Sequence, residues 1–388
     1  ACAPGGTCPA PAPERADTFL PSGRMALGAN YWASHAATEM WRKWDAKAVE
    51  EDLRVLAANG FRLLRVFPNW ADFQPIHACY LSANNFDKVN ETRLFDAEEP
   101  LPDTPCGRAG VDERMVVRFE AFCDLAEKYG IRLIVPLLTG QMTFRNYIPP
   151  ALANRNPFSD PYALMWEGRY LECMVSRLKA KKAIVAWESG NEARILGKSE
   201  NAFHSEAWLR YVHQTIRLAD PSRPVIGVDG LEISRETLWP SAMNAALSDY
   251  TTTHPYGFWG AVYNDDFLSV RSTTFAAAQT YALAQIGGKP AFIEEHGSRR
   301  QEQASQANVA KYMRNMLWNS WALDCRAMLW WCAYDQTGMT IAPYNWRQPC
   351  VELGIFRRDR TPYPAVGAAK AFAAMQDALP VAGLPKAK

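Results

Sequence analysis

From Arg24 onward, short apolar runs alternate with amphipathic stretches, and the pairs share one layout: a polar cap, a helix, a glycine and a buried strand. Asp45 stands where it can cap a helix whose Val49, Leu53 and Leu56 share one face, and Gly60 supplies its left-handed stop. The apolar run Phe61–Phe67 follows at once. Asp112 opens a second unit with Met115, Phe119, Phe122 and Ala126 on the inner face, ended by Gly130 before the run Ile131–Leu138. The same reading predicts further strands at Met25–Asn30, Ala183–Glu188, Pro224–Val228, Tyr250–His254, Pro290–Glu295 and Ala327–Trp331. Helices are expected between and after them at Tyr162–Lys179, Phe203–Leu218, Arg235–Ala246, Phe275–Ile286, Asn308–Leu323 and Ala365–Ala374. Eight parallel strands, each followed by a helix, predict one α/β domain over residues 24–388, a (β/α)8 TIM barrel with its active site at the C-terminal strand ends. An open doubly wound sheet would need a glycine-rich phosphate turn after the first strand, and Gly28-Ala29-Asn30-Tyr31-Trp32 is not one.

Composition narrows the partners. Lys+Arg 42 against Asp+Glu 41 leaves a net charge of +1 over 388 residues, which removes the basic excess that nucleic-acid binders use to neutralise phosphates. No apolar run reaches the length of about 18 residues that a membrane-spanning helix requires. Residues 1–23 begin with a Pro/Ala/Gly-rich stretch and are expected to be a flexible leader of a processed chain, secreted or periplasmic, with Cys2 as a candidate lipid anchor. The Ala- and Arg-rich composition suggests a bacterial source. Nine cysteines leave at least one unpaired. Cys123 and Cys173 fall inside helical patterns as buried thiols. Cys79 and Cys106 bracket a polar, turn-rich segment and are the expected disulfide. No Cys/His spacing fits a structural zinc site, so neither metal nor cofactor is expected. Aromatic residues make up 12% of the chain, which raises the question of sugar stacking without answering it.

Acidic residues collect where the predicted strands end. The fourth strand runs into Glu188-Ser189-Gly190-Asn191-Glu192 and the seventh into Glu294-Glu295-His296-Gly297. Two carboxylates facing each other across a barrel mouth suit glycoside hydrolysis. One protonates the leaving oxygen, the other attacks or stabilises the anomeric centre, and their separation sets the stereochemistry.

These residues carry a resemblance. The chain resembles the retaining TIM-barrel glycosidases, and most closely glycoside hydrolase family five, over about residues 25 to 375. In that family an Asn-Glu pair ends the fourth strand and a Glu followed by an aromatic residue and Gly ends the seventh. Asn191-Glu192 and Glu295-His296-Gly297 fit, with His296 where Phe or Tyr is more usual. The resemblance implies Glu192 as acid/base, Glu295 as nucleophile and Arg65 as the arginine that orients the nucleophile. It likewise implies His254 and Tyr256 as the pair after the sixth strand, and Trp331 as the floor of the sugar subsite, with Asp335 four residues on. Glu352-Leu353-Gly354-Ile355 and Pro362-Tyr363-Pro364-Ala365 resemble the closing segment. Asn191 is then placed to bond the sugar 2-hydroxyl and Tyr256 to donate to the nucleophile. Glu192 should have its pKa raised by burial or a neighbouring anion, while Glu295 stays ionised beside Arg65.

Blander roles compete for several of these residues. Glu188 and Glu294 read first as structural ion-pair partners, Trp41, Trp44, Trp166 and Trp239 as packing. Trp32, Trp70, Trp259, Trp330, Trp331 and Trp346 fall at or after strand ends, and Trp32 and Trp331 are the rings assigned to substrate. The third strand ends Thr139-Gly140-Gln141-Met142 without the histidine of many cellulase-type members. That favours a β-linked mannoside, oligo- or polysaccharide, with a β-glucoside as rival and a non-hydrolytic sugar-binding barrel as the alternative class. The long loop from about Pro68 to Gly110 is expected to wall one end of the cleft and favour exo action.

Overall fold

The computed structural model describes residues 19–80, 91–228, 238–256, 265–266, 268–298, 305–346 and 352–379. Its centre is a ring of eight parallel strands: β1 (Ala26–Tyr31), β2 (Leu63–Val66), β3 (Arg132–Pro136), β4 (Ile184–Glu188), β5 (Val225–Ile226), β6 (Thr251–Thr253), β7 (Ala291–His296) and β8 (Ala327–Trp330). Each pairs with the next, β8 returns to β1, and the seam between β5 and β6 is one parallel bridge between Ile226 and Tyr250. Around the ring lie α1 (Ala46–Ala58), α2 (Glu113–Lys128), α3 (Pro161–Leu178), α4 (Ala202–Ala219), α5 (Ser241–Leu247), α6 (Val270–Gly287), α7 (Gln306–Ala322) and α8 (Pro364–Ala378). Strands buried on both faces explain the unbroken apolar runs.

The local chemistry behaves as the pattern demands. Asp45 accepts from the Lys47 and Ala48 amides and Asp112 from that of Arg114, so each carboxylate satisfies orphan N–H groups of its helix. Gly60 ends α1 at φ +88°, where a Cβ would also sit 2.6 Å from the Ala373 methyl of α8, so both backbone and packing demand glycine. All eight predicted strands form. They are trimmed where flanking apolar residues pack without laddering: Phe61 and Phe67 are buried beside β2 but outside it. The helix expected at Arg235–Ala246 begins instead at Ser241, because Pro240 cannot sit inside a helix and precedes its first turn.

Part of the expected leader is not free. Phe19 and Leu20 are buried, and the Phe19 ring meets Tyr250 edge-on at 5.3 Å. Arg132 and Arg326, at the N-terminal ends of β3 and β8, donate to the Phe19 and Leu20 carbonyls. Residues 19–23 therefore plug the end of the barrel opposite the strand termini that carry the acids. Residues 1–18, with Cys2 and Cys8, lie outside the described residues.

The expected Cys79–Cys106 pair does not form. Cys79 is exposed, whereas the Cys106 sulfur lies 2.8 Å from that of Cys173 on α3. The turn after Thr104 points Cys106 at the helix behind it, a tertiary contact that spacing along the chain does not reveal. Among the described residues no helix is long and apolar enough to cross a membrane.

Candidate active site

Arg65, fully buried near the end of β2, organises the C-terminal mouth. Its Nε and Nη2 donate to the two Glu188 oxygens at 2.8 and 2.6 Å, and its Nη1 donates to Glu295 Oε1 at 2.8 Å. Asn30 Oδ1 on β1 lies 3.3 Å from the same nitrogen, and in-register pairing of Asn30 with Arg65 sets that approach. The bidentate fork to Glu188 fixes the guanidinium plane, so the remaining N–H can reach only one place. Glu188 is thus the ion-pair partner expected of it. Glu294 lies 3.6 Å from Arg65 Nε and 3.6 Å from His254 Nε2. Two consecutive residues of one strand approach the same arginine because the β7–β8 register shifts between Ile293 and His296, which re-aims side chains that would otherwise alternate.

Glu295 is held from both sides: Arg65 on Oε1 and the Tyr256 hydroxyl, donating at 2.9 Å, on Oε2. Glu192 stands just past β4 with φ +43°, the left-handed region that costs a non-glycine residue about 1–3 kcal/mol. The turn leading to it needs Gly190, where a Cβ would lie 2.3 Å from the Leu138 carbonyl oxygen. Glu192 Oε1 lies 3.1 Å from His254 Nδ1, and its Oε2 accepts from Gln141 Nε2 at 3.0 Å. His254 stands between the two acids, its Nδ1 also 3.5 Å from Glu295 Oε2.

Ligand atoms of Glu192, His254 and Glu295 all lie within 4.8 Å of one another. The same three could hold a cation, although the Arg65 guanidinium already neutralises Glu295 from the other side.

The electrostatics correct one expectation. Burial pushes the Glu192 pKa up, but the His254 hydrogen bond and the charges of His254, Arg194 and Arg65 outweigh it and hold the carboxyl below its usual range. Glu294 is likewise lowered: burial raises it, and Arg65 followed by His254 more than offset that. His296 is buried against the Trp330 ring, and burial lowers its pKa to about 3, so it is a neutral packing residue.

The aromatic assignments divide. Trp331 is 6% exposed at the end of β8, and its ring meets Phe67 edge-on at 5.9 Å. Trp32 is only 1% exposed and stacks on Phe67 at 5.1 Å. It therefore supports the floor rather than offering a face to a sugar. Phe67 in turn lies under Arg65, 4.8 Å from ring centre to guanidinium carbon. Trp70 and Trp330 are core rings whose N–H groups bond Gln74 and the Leu353 carbonyl. Trp346 is 70% exposed, and Trp259 lies outside the described residues. Asn191 is buried, and its Oδ1 has no partner among the described residues, leaving an acceptor at the mouth. Asp335 accepts from Gly354 N and the Tyr363 hydroxyl, tying the closing segment to the end of β8.

Sequence reasoning gave Gln141 no role, although it stands at a strand end. Its hairpin, Gln141–Met142 with Arg145–Asn146, is gripped by the loop after β8: the Tyr344 hydroxyl donates to the Met142 carbonyl and Arg145 to that of Ala342. Thr38 reaches Met339 in the same loop, and Asn69 donates to the Thr38 carbonyl. Loops after β1, β2, β3 and β8 thus interlock on one side of the mouth. Farther along the connection after β2, Gln74 bonds the Trp166 carbonyl of α3. Residues 81–90 of the loop expected to wall the cleft lie outside the described residues.

A (β/α)8 barrel with paired carboxylates at its C-terminal mouth defines the class: a TIM barrel with an acidic site at its strand ends. No family model matches the chain. Mannan endo-1,4-β-mannosidase A of Podospora anserina is 23% identical over 334 residues, covering 80% of this chain and 78% of that protein. The first curated relatives, Aspergillus and Neosartorya proteins named as probable mannan endo-1,4-β-mannosidases F, are 26% identical, and the chain spans about half their length (46 to 49%). GH5_18 from Streptomyces cattleya, solved with Manβ1-4GlcNAc, superposes with a TM-score of 0.76 at 20% identity, covering 94% of this chain and 83% of that one. The exo-β-1,4-mannosidase of Opitutaceae bacterium strain TAV5 gives 0.77 at 21% identity, covering 93% and 61%. In sequence the chain is thus similar to β-mannanases, and in fold to GH5_18 and exo-β-mannosidase barrels.

Proposed function

We propose that the protein hydrolyses β-linked mannosides with retention, by double displacement. The observation that carries this reading is that Glu192 and Glu295 face each other closely, with an oxygen of each within 4.8 Å, which favours the closer spacing of retaining pairs, roughly 5–5.5 Å, over the roughly 6.5–9.5 Å that leaves room for an attacking water. Glu295, oriented by hydrogen bonds from Arg65 and Tyr256, attacks the anomeric carbon while Glu192 gives its proton to the leaving oxygen. The glycosyl ester consumes the charge on Glu295, and Glu192, now ionised, takes a proton from the water that cleaves the ester.

The Nδ1–Oε1 contact suits both states of the acid. An ionised Glu192 accepts from a protonated Nδ1, and a protonated Glu192 donates to a neutral ring. Because the unliganded site favours the ionised form, the protonated fraction and kcat/KM should fall as pH rises through the lowered Glu192 pKa, on the acid side of an ordinary carboxylate. Trp331 serves as the subsite floor and Asn191 Oδ1 as acceptor for the sugar 2-hydroxyl.

Mannose as the sugar is supported by the names of the relatives and by Gln141 where a cellulase-type histidine is absent. Exo action is supported by the interlocked loops on one side of the mouth. Aryl β-mannoside, β-glucoside, β-xyloside and β-galactoside, followed by proton NMR of the first-formed anomer, test the reading. Release of the β-anomer from the mannoside is expected, and an α-anomer as first product would refute the mechanism. On mannohexaose, single-residue release is expected, and early internal fragments would sink exo action.

A further inference from the structure

The connection between β2 and α2 carries Cys106 in a short helix, Pro105–Arg108, capped by the Thr104 side chain. Across from it, 67 positions along the chain, Cys173 lies on α3, and the two sulfurs are 2.8 Å apart, closer than unbonded sulfurs come to rest. Both thiols line a groove of about 1210 Å³ between this connection and α3, together with Glu113, Arg169 and Arg177. Arg177 Nη1 is 3.7 Å from the Cys106 sulfur and also bonds Glu113. The groove is remote from Glu192 and Glu295 and shares no residue with their site.

We propose that Cys106 and Cys173 are a disulfide site that clamps the β2–α2 connection to α3. A cross-link needs the sulfurs to close to about 2.05 Å, a move of under one ångström for side chains already facing each other. With a small-molecule disulfide such as oxidised glutathione as oxidant, the Cys106 thiolate attacks one glutathione sulfur and expels a glutathione thiolate. The Cys173 thiolate then attacks the Cys106 sulfur of the mixed disulfide and expels the second. Two protein thiols lose two protons and two electrons, and glutathione disulfide becomes two thiols. Cys106 is the better first nucleophile: the Cys173 S–H donates to it and the Arg177 charge faces it, which together hold its thiol below the ordinary value against burial and Glu113, whereas Cys173 is raised.

Equilibration of the whole protein with oxidised glutathione, alkylation of remaining thiols and tryptic digestion without reduction tests this directly. Peptide 94–108, which contains Cys106, is expected joined to peptide 170–177, which contains Cys173. Peptide 94–108 joined to 66–88 through Cys79, or to any other cysteine peptide, or both thiols alkylated, would overturn the proposal. The oxidised wild type should melt about 5 °C above its reduced form. That difference should vanish in Cys106→Ser and Cys173→Ser alike. A cross-link that leaves the melting temperature unchanged would overturn the clamp. None of these readouts depends on hydrolysis.

Discussion

Arg65→Met is the most demanding perturbation of the site. Arg65 makes three hydrogen bonds of 2.6–2.8 Å to Glu188 and Glu295 in full burial, with Glu294 3.6 Å away. Methionine matches the stem but supplies no charge, leaving three carboxylates around one position with His254 as their nearest base. Removing one partner of a buried ion pair costs about 3–5 kcal/mol, since the remaining charge is stranded in low dielectric. Over a barrel of this size that corresponds to a melting-temperature loss of about 4–6 °C.

The pH dependence separates this cause from simple loss of packing. In the wild type Glu294 is lowered by Arg65, so it contributes stability above its unfolded pKa that is lost as pH falls through its folded pKa. In the variant burial dominates and raises that pKa, so the carboxyl destabilises at neutral pH and is relieved on protonation. Urea unfolding from pH 7 down to pH 4 should therefore show a wild-type minus variant difference that shrinks on acidification. Adding Glu188→Gln should recover part of the loss by removing one stranded charge. A cost under about 1 kcal/mol, or one independent of pH, would refute the reasoning.

Three further outcomes are expected. Glu192→Gln should lower kcat/KM about 10²–10⁴-fold on mannosides with poor leaving groups and far less on activated aryl mannosides, because only the former need the proton, while kcat falls on both because each glycosyl ester still needs Glu192 to activate water. Equal losses of kcat/KM on both, read by steady-state kinetics, would remove Glu192 from the acid role. Gln141→Ala deletes a donor that favours ionised Glu192, so the alkaline limb of the kcat/KM profile should move up by about one pH unit; an unmoved limb would make Gln141 merely structural. Phe19→Ala empties a buried site against Tyr250 and should cost about 3 kcal/mol in denaturant unfolding, whereas a neutral result would mean that residues 19–23 do not plug the barrel.

The order of elements was legible in the sequence because each unit carries its own punctuation. Asp45, Gly60, Asp112 and Gly130 act within a few residues of where they stand, and strands buried on both faces announce themselves as apolar runs. The acids were legible because the barrel gathers every strand terminus at one mouth, whereas Arg65, His254, Tyr256 and Trp331 were named through the resemblance to glycoside hydrolase family five. What each does there depends on neighbours from distant strands. Whether Glu192 is raised or lowered is decided by burial against the His254 hydrogen bond, 62 positions away, and the charges of His254, Arg194 and Arg65. Trp32 and Trp331 both follow strand ends, yet only the tertiary packing on Phe67 covers the first and leaves an edge of the second open. The pairing of Cys106 with Cys173 rather than Cys79 is of the same kind. Patterning fixes which face of an element is inward, since that follows from helical and strand periodicity. Which side chains then meet across the barrel, and with what charge, is settled only when eight inward faces converge on one axis.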